Sequence, residues 1–196
     1  DPDLMKMEET VSRIDGMIEE LLEFVRGNNV ALTFEPTDLG EFMTDFCGQA
    51  EQSLAHASIK LDHEQHGADG TAVQIDRDRL SRVLDNLVNN ARDALRQCDP
   101  SVPCTIWIRT EVLEDNVHIR VADNGPGIPE DARENMFMPF RTEGKDNGTG
   151  LGLTIVKNLV TGHGGRVDVE FSPPEGGAAF EIVLPCRSGI TAEQFS

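Results

Sequence analysis

The sequence predicts an α+β fold, a two-layer sandwich in which a mostly antiparallel mixed sheet carries helices on one face. Alternating apolar and polar runs at residues 105–112 and 117–121, and again at 166–171 and 179–184, are joined by turn residues and predict two β-hairpins. Amphipathic helical patterns lie between and before these runs. One sheet and one helical layer would bury the apolar residues of both.

The predicted elements run in the order extended segment, helix, two short strands, long helix, hairpin, helix and hairpin. Asp38 is placed to cap the first helix, with Glu41 at the capping-box position. Apolar residues share one side of the long helix: Leu80, Leu84, Leu87, Ala91 and Leu95. The predicted bounds are 30–37 (extended, ending at Pro36), 39–56 (helix), 59–61 and 72–75 (strands), 77–97 (helix) and 150–162 (helix).

A separate long helix is predicted at residues 3–26. Its apolar residues alternate spacings of four and three, which is the seam of a coiled coil or helix bundle: Met7, Val11, Ile14, Ile18, Leu21 and Val25. An ordinary amphipathic helix on the domain's own core is the alternative. Gly27 and the asparagines after it form a helix stop. We therefore expect a helix at 1–27, a linker at 28–36, a domain at 37–188 and a tail at 189–196.

Composition limits the partners and the compartment. The 17 Lys and Arg residues against 35 Asp and Glu give a formal charge of -18, which argues against nucleic acid as a partner. No apolar run approaches the roughly 18 residues of a membrane span, and no secretory signal pattern is present. We expect a cytoplasmic fragment with reduced thiols and no membrane contact of its own, from a parent protein that membrane segments elsewhere can anchor.

Three asparagines and one aspartate gather on the side of the long helix opposite its apolar residues: Asn86, Asn89, Asn90 and Asp93. Asparagine is a mediocre helix former. A solvated polar face is one interpretation, and a functional face is the other. A carboxamide oxygen is a hard, neutral ligand suited to Mg²⁺, which often takes only one or two protein oxygens.

Two glycine-rich segments follow, at residues 123–127 and 148–152. The first, DNGPG, ends a predicted strand; it is either a plain turn or a site where Asp123 accepts a hydrogen bond from an adenine amino group. The second, GTGLG, opens a helix, whose free N–H groups and dipole favour an anion. It lacks the Lys of a Walker A loop and the preceding strand of a dinucleotide fingerprint. Arg141 and Lys145 precede it, either as phosphate contacts or as surface charges.

Taken together and in order, these segments resemble the ATP-binding domain of sensor histidine kinases, within the GHKL (Bergerat-fold) group of ATPases and kinases. Residues 84–91 (LDNLVNNA) are similar to the N box, 123–128 (DNGPGI) to the G1 box, 137–140 (FMPF) to the F box and 148–153 (GTGLGL) to the G2 box. The resemblance covers about residues 37–186. Its short lid, with Lys145 close before the glycines, resembles the nitrogen-regulatory type.

The resemblance implies a role for each matched position. Asn90 would ligate Mg²⁺, Asn86 would help hold the ion or the phosphates, and Asp123 would bind the adenine amino group. Lys145 would meet the β- or γ-phosphate. The other matched residues would shape the pocket and its lid: Gly125, Gly127, Ile128, Phe140, Gly148, Thr149, Gly150, Leu151 and Gly152. Residues 4–26 would form the second helix of a dimerisation and phosphoacceptor hairpin, which implies a homodimer. A response-regulator receiver domain would take the phosphoryl group.

Some positions depart from the family's pattern. No His followed by an acidic residue is predicted on a helix, so the phosphoacceptor is expected upstream of Asp1 or on another chain. Asp93 stands where many of these kinases carry Lys or Arg, a role that Arg92 or Arg96 would have to fill. Ala178 and Ala179 replace hydroxyl residues of the last box.

The family's hydrolases and serine kinases carry a Glu base at the position of Asn86, which cannot take a proton. An imidazole needs less help from a base, because its unperturbed pKa is about 6.5. We therefore expect Mg²⁺-dependent transfer of the ATP γ-phosphate to histidine. A degenerate, non-catalytic signalling scaffold is the alternative, and a GHKL ATPase or serine kinase is a further one.

Overall fold

The computed structural model describes residue 21 and residues 31–96, 98, 101–141 and 149–186. Apart from Leu21, which is helical, the predicted N-terminal helix lies outside these residues, as do the C-terminal tail, Lys145 and Gly148. The helices are α1 (Leu39–Ala55), α2 (Arg77–Leu95), α3 (Glu130–Arg133) and α4 (Gly152–Gly162). The strands are β1 (Glu35–Asp38), β2 (Lys60–His66), β3 (Ala72–Ile75), β4 (Thr105–Leu113), β5 (Asn116–Asp123), β6 (Arg166–Glu170) and β7 (Ala179–Pro185).

A five-stranded sheet in the order β2-β4-β5-β7-β6 forms one layer of the domain. Strands β2 and β4 are parallel, and the other three pairings are antiparallel. Both predicted hairpins, β4–β5 and β6–β7, are present. The mostly antiparallel mixed sheet with helices on one face is therefore confirmed.

The core lies between this sheet and helices α1, α2 and α4. Alternate residues of the central strands face the helices, so that Ile106 and Ile108 of β4 and Ile119 of β5 are almost fully buried. The apolar side of α2 is buried as predicted, at every one of its five residues: Leu80, Leu84, Leu87, Ala91 and Leu95. The sheet's other face carries mostly polar and charged side chains.

Two aspartates begin the two long helices. Asp38 Oδ1 accepts a hydrogen bond from Glu41 N (3.0 Å), and Asp76 Oδ1 accepts one from Arg79 N (3.1 Å). Each thereby satisfies a backbone donor that the first helical turn leaves without a partner. The cap predicted at Asp38 is confirmed.

Strands β1 and β3 form a small antiparallel sheet of their own, which the sequence did not predict. Residues 35 and 36, assigned to the linker, pair with Ile75 and Gln74. Pro36 is tolerated because an edge strand has backbone positions that need no ladder donor. Further back, Thr33 N donates to Asp76 Oδ2 (2.9 Å), so the chain contacts the domain from at least Thr33.

Strand β2 is longer than the predicted 59–61 and reaches His66. It lies at the edge of the large sheet, and its second half carries polar residues on both faces. Alternation of apolar and polar residues marks strands that bury one face, and this half of β2 buries neither. Its backbone nevertheless pairs with β4, so the strand continues beyond the predicted end. Helix α4 begins at Gly152, two residues later than predicted.

Cys47, Cys98, Cys104 and Cys186 form no disulfide in the part of the chain that the structure describes. Burial raises the pKa of the Cys47 thiol to about 11, so this group stays protonated at neutral pH. None of the helices within the described residues has the length and apolarity that a membrane crossing needs.

Candidate nucleotide-binding site

Helix α2 brings the predicted site segments together. Asn86, Asn90 and Ala94 follow one another at intervals of four residues, which is slightly more than one turn, or about 6 Å of rise. A Cβ on Gly152, at the start of α4, would lie 2.9 Å from Asn86 Oδ1, and a Cβ on Gly125 would lie 3.3 Å from Ala94 Cβ. Asn90 therefore stands one turn from the glycine loop on one side and one turn from the 123–127 turn on the other.

The asparagines of α2 are not equivalent. Asn86 is half-buried, and its Nδ2 donates to Arg82 O of the same helix (2.9 Å), which leaves Oδ1 beside Gly152. Asn90 is half-buried, and Asn89 is exposed. Of the three, Asn86 and Asn90 lie at the junction of α2 with the site segments, and Asn89 belongs to the solvated face.

Asp123 ends β5 and is only 5% exposed. Its Oδ1 accepts a hydrogen bond from Gly125 N (2.7 Å). Burial raises the pKa of the Asp123 carboxyl, while the backbone N–H groups of Gly125 and Ala178 act in the opposite direction. Among the described residues no cation is placed against this carboxylate, and burial of an unpaired carboxylate is costly. Groups whose pKa is shifted in this way cluster at functional sites.

The loop before β7 closes against Asp123. Gly177 N donates to Asp123 O (2.9 Å), and Asp123 N donates to Ala178 O (3.0 Å). A Cβ on Gly177 would overlap Asp123 Oδ1 and lie 2.5 Å from Gly125 N. Only glycine therefore permits this approach. Gly127 has a φ of 77°, and a Cβ there would lie 3.1 Å from Gly177 O.

Asn124 is a structural residue whose role the sequence analysis missed. Its Oδ1 accepts from Thr105 N (2.8 Å) and its Nδ2 donates to Pro103 O (2.8 Å), so both ends of the amide bind the segment before β4. Because Thr105 begins β4 and Pro103 precedes it, this amide fixes the 123–127 turn against the start of that strand. Its position between two site residues, in a segment typical of turns, gave no separate signal.

The 149–152 loop is held by the end of the F-box segment. Phe140 N donates to Gly150 O (3.0 Å), and a Cβ on Gly150, whose φ is 69°, would lie 2.6 Å from Arg141 N. Phe140 itself has a φ of 62° and is 61% exposed. An aromatic residue rarely adopts this conformation, and such strain is typical of functional loops.

The remaining predicted residues support the site from behind. Leu151 is buried in the core, and its N–H donates to Thr149 Oγ1 (3.3 Å). Ile128 packs against the core, and its carbonyl accepts from Arg133 Nε (3.1 Å). The side chains of Leu151 and Ile128 thus anchor the two glycine segments.

The structure also shows where the residues that depart from the family's pattern lie. Arg96 forms an ion pair with Asp93 (3.5 Å), so its charge is shared within α2. Ala178 and Ala179 are buried. A hydroxyl group at either position would therefore be buried and not on the surface.

Comparison with known proteins agrees with this geometry. The family model for histidine kinase-, DNA gyrase B- and HSP90-like ATPases matches residues 75–188. Sensor histidine kinase ZraS of Klebsiella oxytoca is 35% identical over 188 residues, which cover 96% of this chain and 39% of ZraS. The chain thus spans about two fifths of the length of that curated relative.

Solved structures give the same result. The nucleotide-free catalytic domain of histidine kinase ThkA has a TM-score of 0.67 and 31% identity, covering 79% of this chain and 97% of that one. ThkA in complex with the response regulator TrrA has a TM-score of 0.72 and 28% identity, covering 95% and 52%. The chain therefore belongs to the family of histidine kinase-, DNA gyrase B- and HSP90-like ATPases, as the ATP-binding core of a sensor histidine kinase.

Proposed function

We propose that this chain binds Mg²⁺–ATP and donates the γ-phosphoryl group to a histidine that is not one of its own five. Asp123 accepts the hydrogen bond of the adenine amino group, and Asn90 ligates Mg²⁺. The N–H groups that open α4, with Lys145, bind the phosphates. Catalysis then rests on positioning and charge neutralisation, as in phosphoryl transfer generally.

Mg²⁺ fits the donor set around Asn90. The ion prefers oxygen ligands and commonly keeps phosphate and water oxygens in most of its six positions. Asn90 offers one neutral oxygen between the two glycine segments. Bound there, the ion would neutralise charge on the phosphates.

The observation that carries the choice of histidine as acceptor is the amide at Asn86. This side chain lies one turn before Asn90, cannot accept a proton, and has its Nδ2 bound to Arg82 O. A water or serine nucleophile would need a base there, whereas a neutral imidazole does not. The geometry therefore favours transfer to histidine over hydrolysis.

The chain's own histidines are poor acceptors. His163 is buried, with Nδ1 beside Leu159 O (2.8 Å) and Nε2 accepting from Asp76 N (3.2 Å). His63 precedes an acidic residue, as a phosphoacceptor does, but lies on strand β2 and not on a helix. We propose that the acceptor lies on a helical hairpin, that this hairpin also dimerises the whole protein, and that a receiver-domain aspartate takes the phosphoryl group next. The ThkA–TrrA complex supports a partner of that class.

The test uses the full chain, radiolabelled ATP, Mg²⁺ and a separately supplied phosphoacceptor hairpin from a related kinase. Acid-labile, base-stable label on the hairpin is expected. Steady phosphate release without labelled hairpin would indicate a hydrolase, and nucleotide binding with neither reaction would indicate a scaffold. Asn90→Ala is expected to abolish Mg²⁺-dependent transfer, whereas Asn89→Ala, which changes the exposed neighbour, is the matched control. Transfer at the parental rate by the Asn90 variant would remove it as the metal ligand.

A further inference from the structure

Arg120 is a charged residue of β5 that none of the matched sequence boxes includes. Its neighbours Ile119 and Val121 face the helices and are buried, so Arg120 points to the open face of the sheet. It lies three residues before Asp123. Its side chain is nevertheless only 22% exposed, because acidic groups of the neighbouring hairpin surround it.

The guanidinium of Arg120 binds Glu175 with both of its terminal nitrogens. Nη1 donates to Oε1 (2.8 Å) and Nη2 donates to Oε2 (3.0 Å). The Glu175 side chain is 15% exposed, and the hydrogen bonds from Arg120 hold the pKa of its carboxyl below the ordinary range. A bidentate, largely buried pair of this kind is geometrically specific. The same Nη2 also reaches Glu170 Oε2 (3.0 Å), but Glu170 is 53% exposed.

Glu175 belongs to the loop between β6 and β7, and it is followed directly by Gly176 and Gly177. Gly177 closes against Asp123: its N–H donates to Asp123 O, and a Cβ in place of its hydrogen would overlap Asp123 Oδ1. Arg120 therefore joins two segments that both meet at Asp123. Its side chain projects from β5 three residues before Asp123. It binds Glu175, which lies two residues before Gly177.

We propose that Arg120 and Glu175 are positioning residues for adenine recognition: their ion pair holds the 175–178 loop against Asp123 and so fixes the direction of its carboxylate. This inference rests on the proposed role of Asp123. An ordinary surface ion pair on a sheet would be worth little and would affect no particular ligand. An ion pair that holds this loop affects binding of the adenine amino group by Asp123 and leaves the phosphate contacts unchanged.

The experiment compares ATP with inosine triphosphate, which carries a carbonyl oxygen where ATP carries the amino group. Dissociation constants are measured by calorimetry with Mg²⁺ on the full chain, for Arg120→Gln, Glu175→Gln and the double variant. Each is expected to weaken ATP binding by about tenfold and inosine triphosphate binding by less than about twofold. The double variant should be no weaker than either single one. Glu170→Gln, which removes the partner outside the loop, is the matched control and should bind ATP as the parent does.

Asp123→Asn, measured in the same series, separates the proposed adenine contact of Asp123 from the proposed positioning role of Arg120 and Glu175. If Asp123→Asn leaves ATP affinity unchanged, the proposed adenine contact is wrong. If Asp123→Asn weakens ATP binding but Arg120→Gln and Glu175→Gln do not, the positioning role alone is wrong. Equal losses for ATP and inosine triphosphate would also overturn it, because they would indicate general damage to the domain. Glu175→Gln keeps the volume and shape of the side chain, so it tests the ion pair even if Arg120→Gln lowers the melting temperature.

Discussion

Replacing Asp123 by asparagine should change nucleotide binding and stability in opposite directions. The carboxylate already uses Oδ1 to accept the Gly125 N–H at 2.7 Å. An asparagine keeps this hydrogen bond only if its carbonyl oxygen stands in that place, which puts its NH₂ group where Oδ2 was. An amino group then faces the adenine amino group, donor against donor.

The loss in ATP affinity follows from the hydrogen bond that disappears. A hydrogen bond to a charged group contributes about 1.5–3 kcal/mol, which corresponds to roughly 10- to 150-fold in the dissociation constant. Calorimetry with ATP and Mg²⁺ measures it. ATP binding at parental strength in Asp123→Asn would contradict the adenine assignment.

The gain in stability follows from the pKa of Asp123. Burial raises this pKa above 3.8, the ordinary value of an aspartate, so the folded state binds the proton more tightly than the unfolded chain. The free energy of unfolding therefore falls as pH rises from 3.8 through the raised pKa, and it stays lower above that pKa. The neutral asparagine avoids this cost.

Urea unfolding without nucleotide tests the sign. Asp123→Asn should be more stable than the parent at pH 8, and the difference should shrink as pH falls toward 3.8. A variant that is less stable than the parent at pH 8 would refute the reasoning, because the carboxylate would then be a net stabilising group in the free protein.

The other predictions concern close packing and buried hydrogen bonds. Gly177→Ala should destabilise the domain by about 1–3 kcal/mol in urea unfolding and weaken ATP binding, because its Cβ overlaps the Asp123 carboxylate. Gly48→Ala, at a helical position with nothing within 4 Å, is its control and should stabilise by about 0.5–1 kcal/mol; equal behaviour of the two variants would contradict the close approach. His163→Leu should cost about 1–3 kcal/mol in urea unfolding, because Asp76 N loses its acceptor. A cost near zero would mean that Asp76 N finds another partner.

Elements with a strong local signal were predicted from the sequence, and those that depend on distant partners were not. Helix α2 carries a wide apolar stripe, so its identity and its buried face could be predicted directly from the sequence. The pairing of β1 with β3 depends on chain segments more than thirty residues apart, and β1 contains a proline that argues against a strand. A segment this short adopts a strand conformation only when a neighbouring segment pairs with its backbone.

The residues of the candidate site likewise divide into those with a local sequence signal and those that depend on distant partners. Asp123 and Asn90 were proposed because asparagine is a mediocre helix former and because the segments resemble those of a known family in their order. Arg120 and Glu175 were not, because a charged residue on an exposed strand face is the ordinary expectation for an antiparallel sheet. Only the register of β5 with β7 and the path of the loop bring them together behind Asp123.

The segment that leads into the domain contacts α2 and α4 at the ends away from the proposed nucleotide site. Thr33 N donates to Asp76 Oδ2 at the start of α2, and the ring of Phe34 meets the edge of His163, at the end of α4, with centroids 5.5 Å apart. His163 in turn accepts from Asp76 N. One buried imidazole therefore ties the entering chain, α2 and α4 into a single unit. Because close-packed interiors transmit strain, we expect a displacement of residues 33–34 to be passed through this imidazole to α2, which carries Asn90, and to α4, which follows the 149–152 loop.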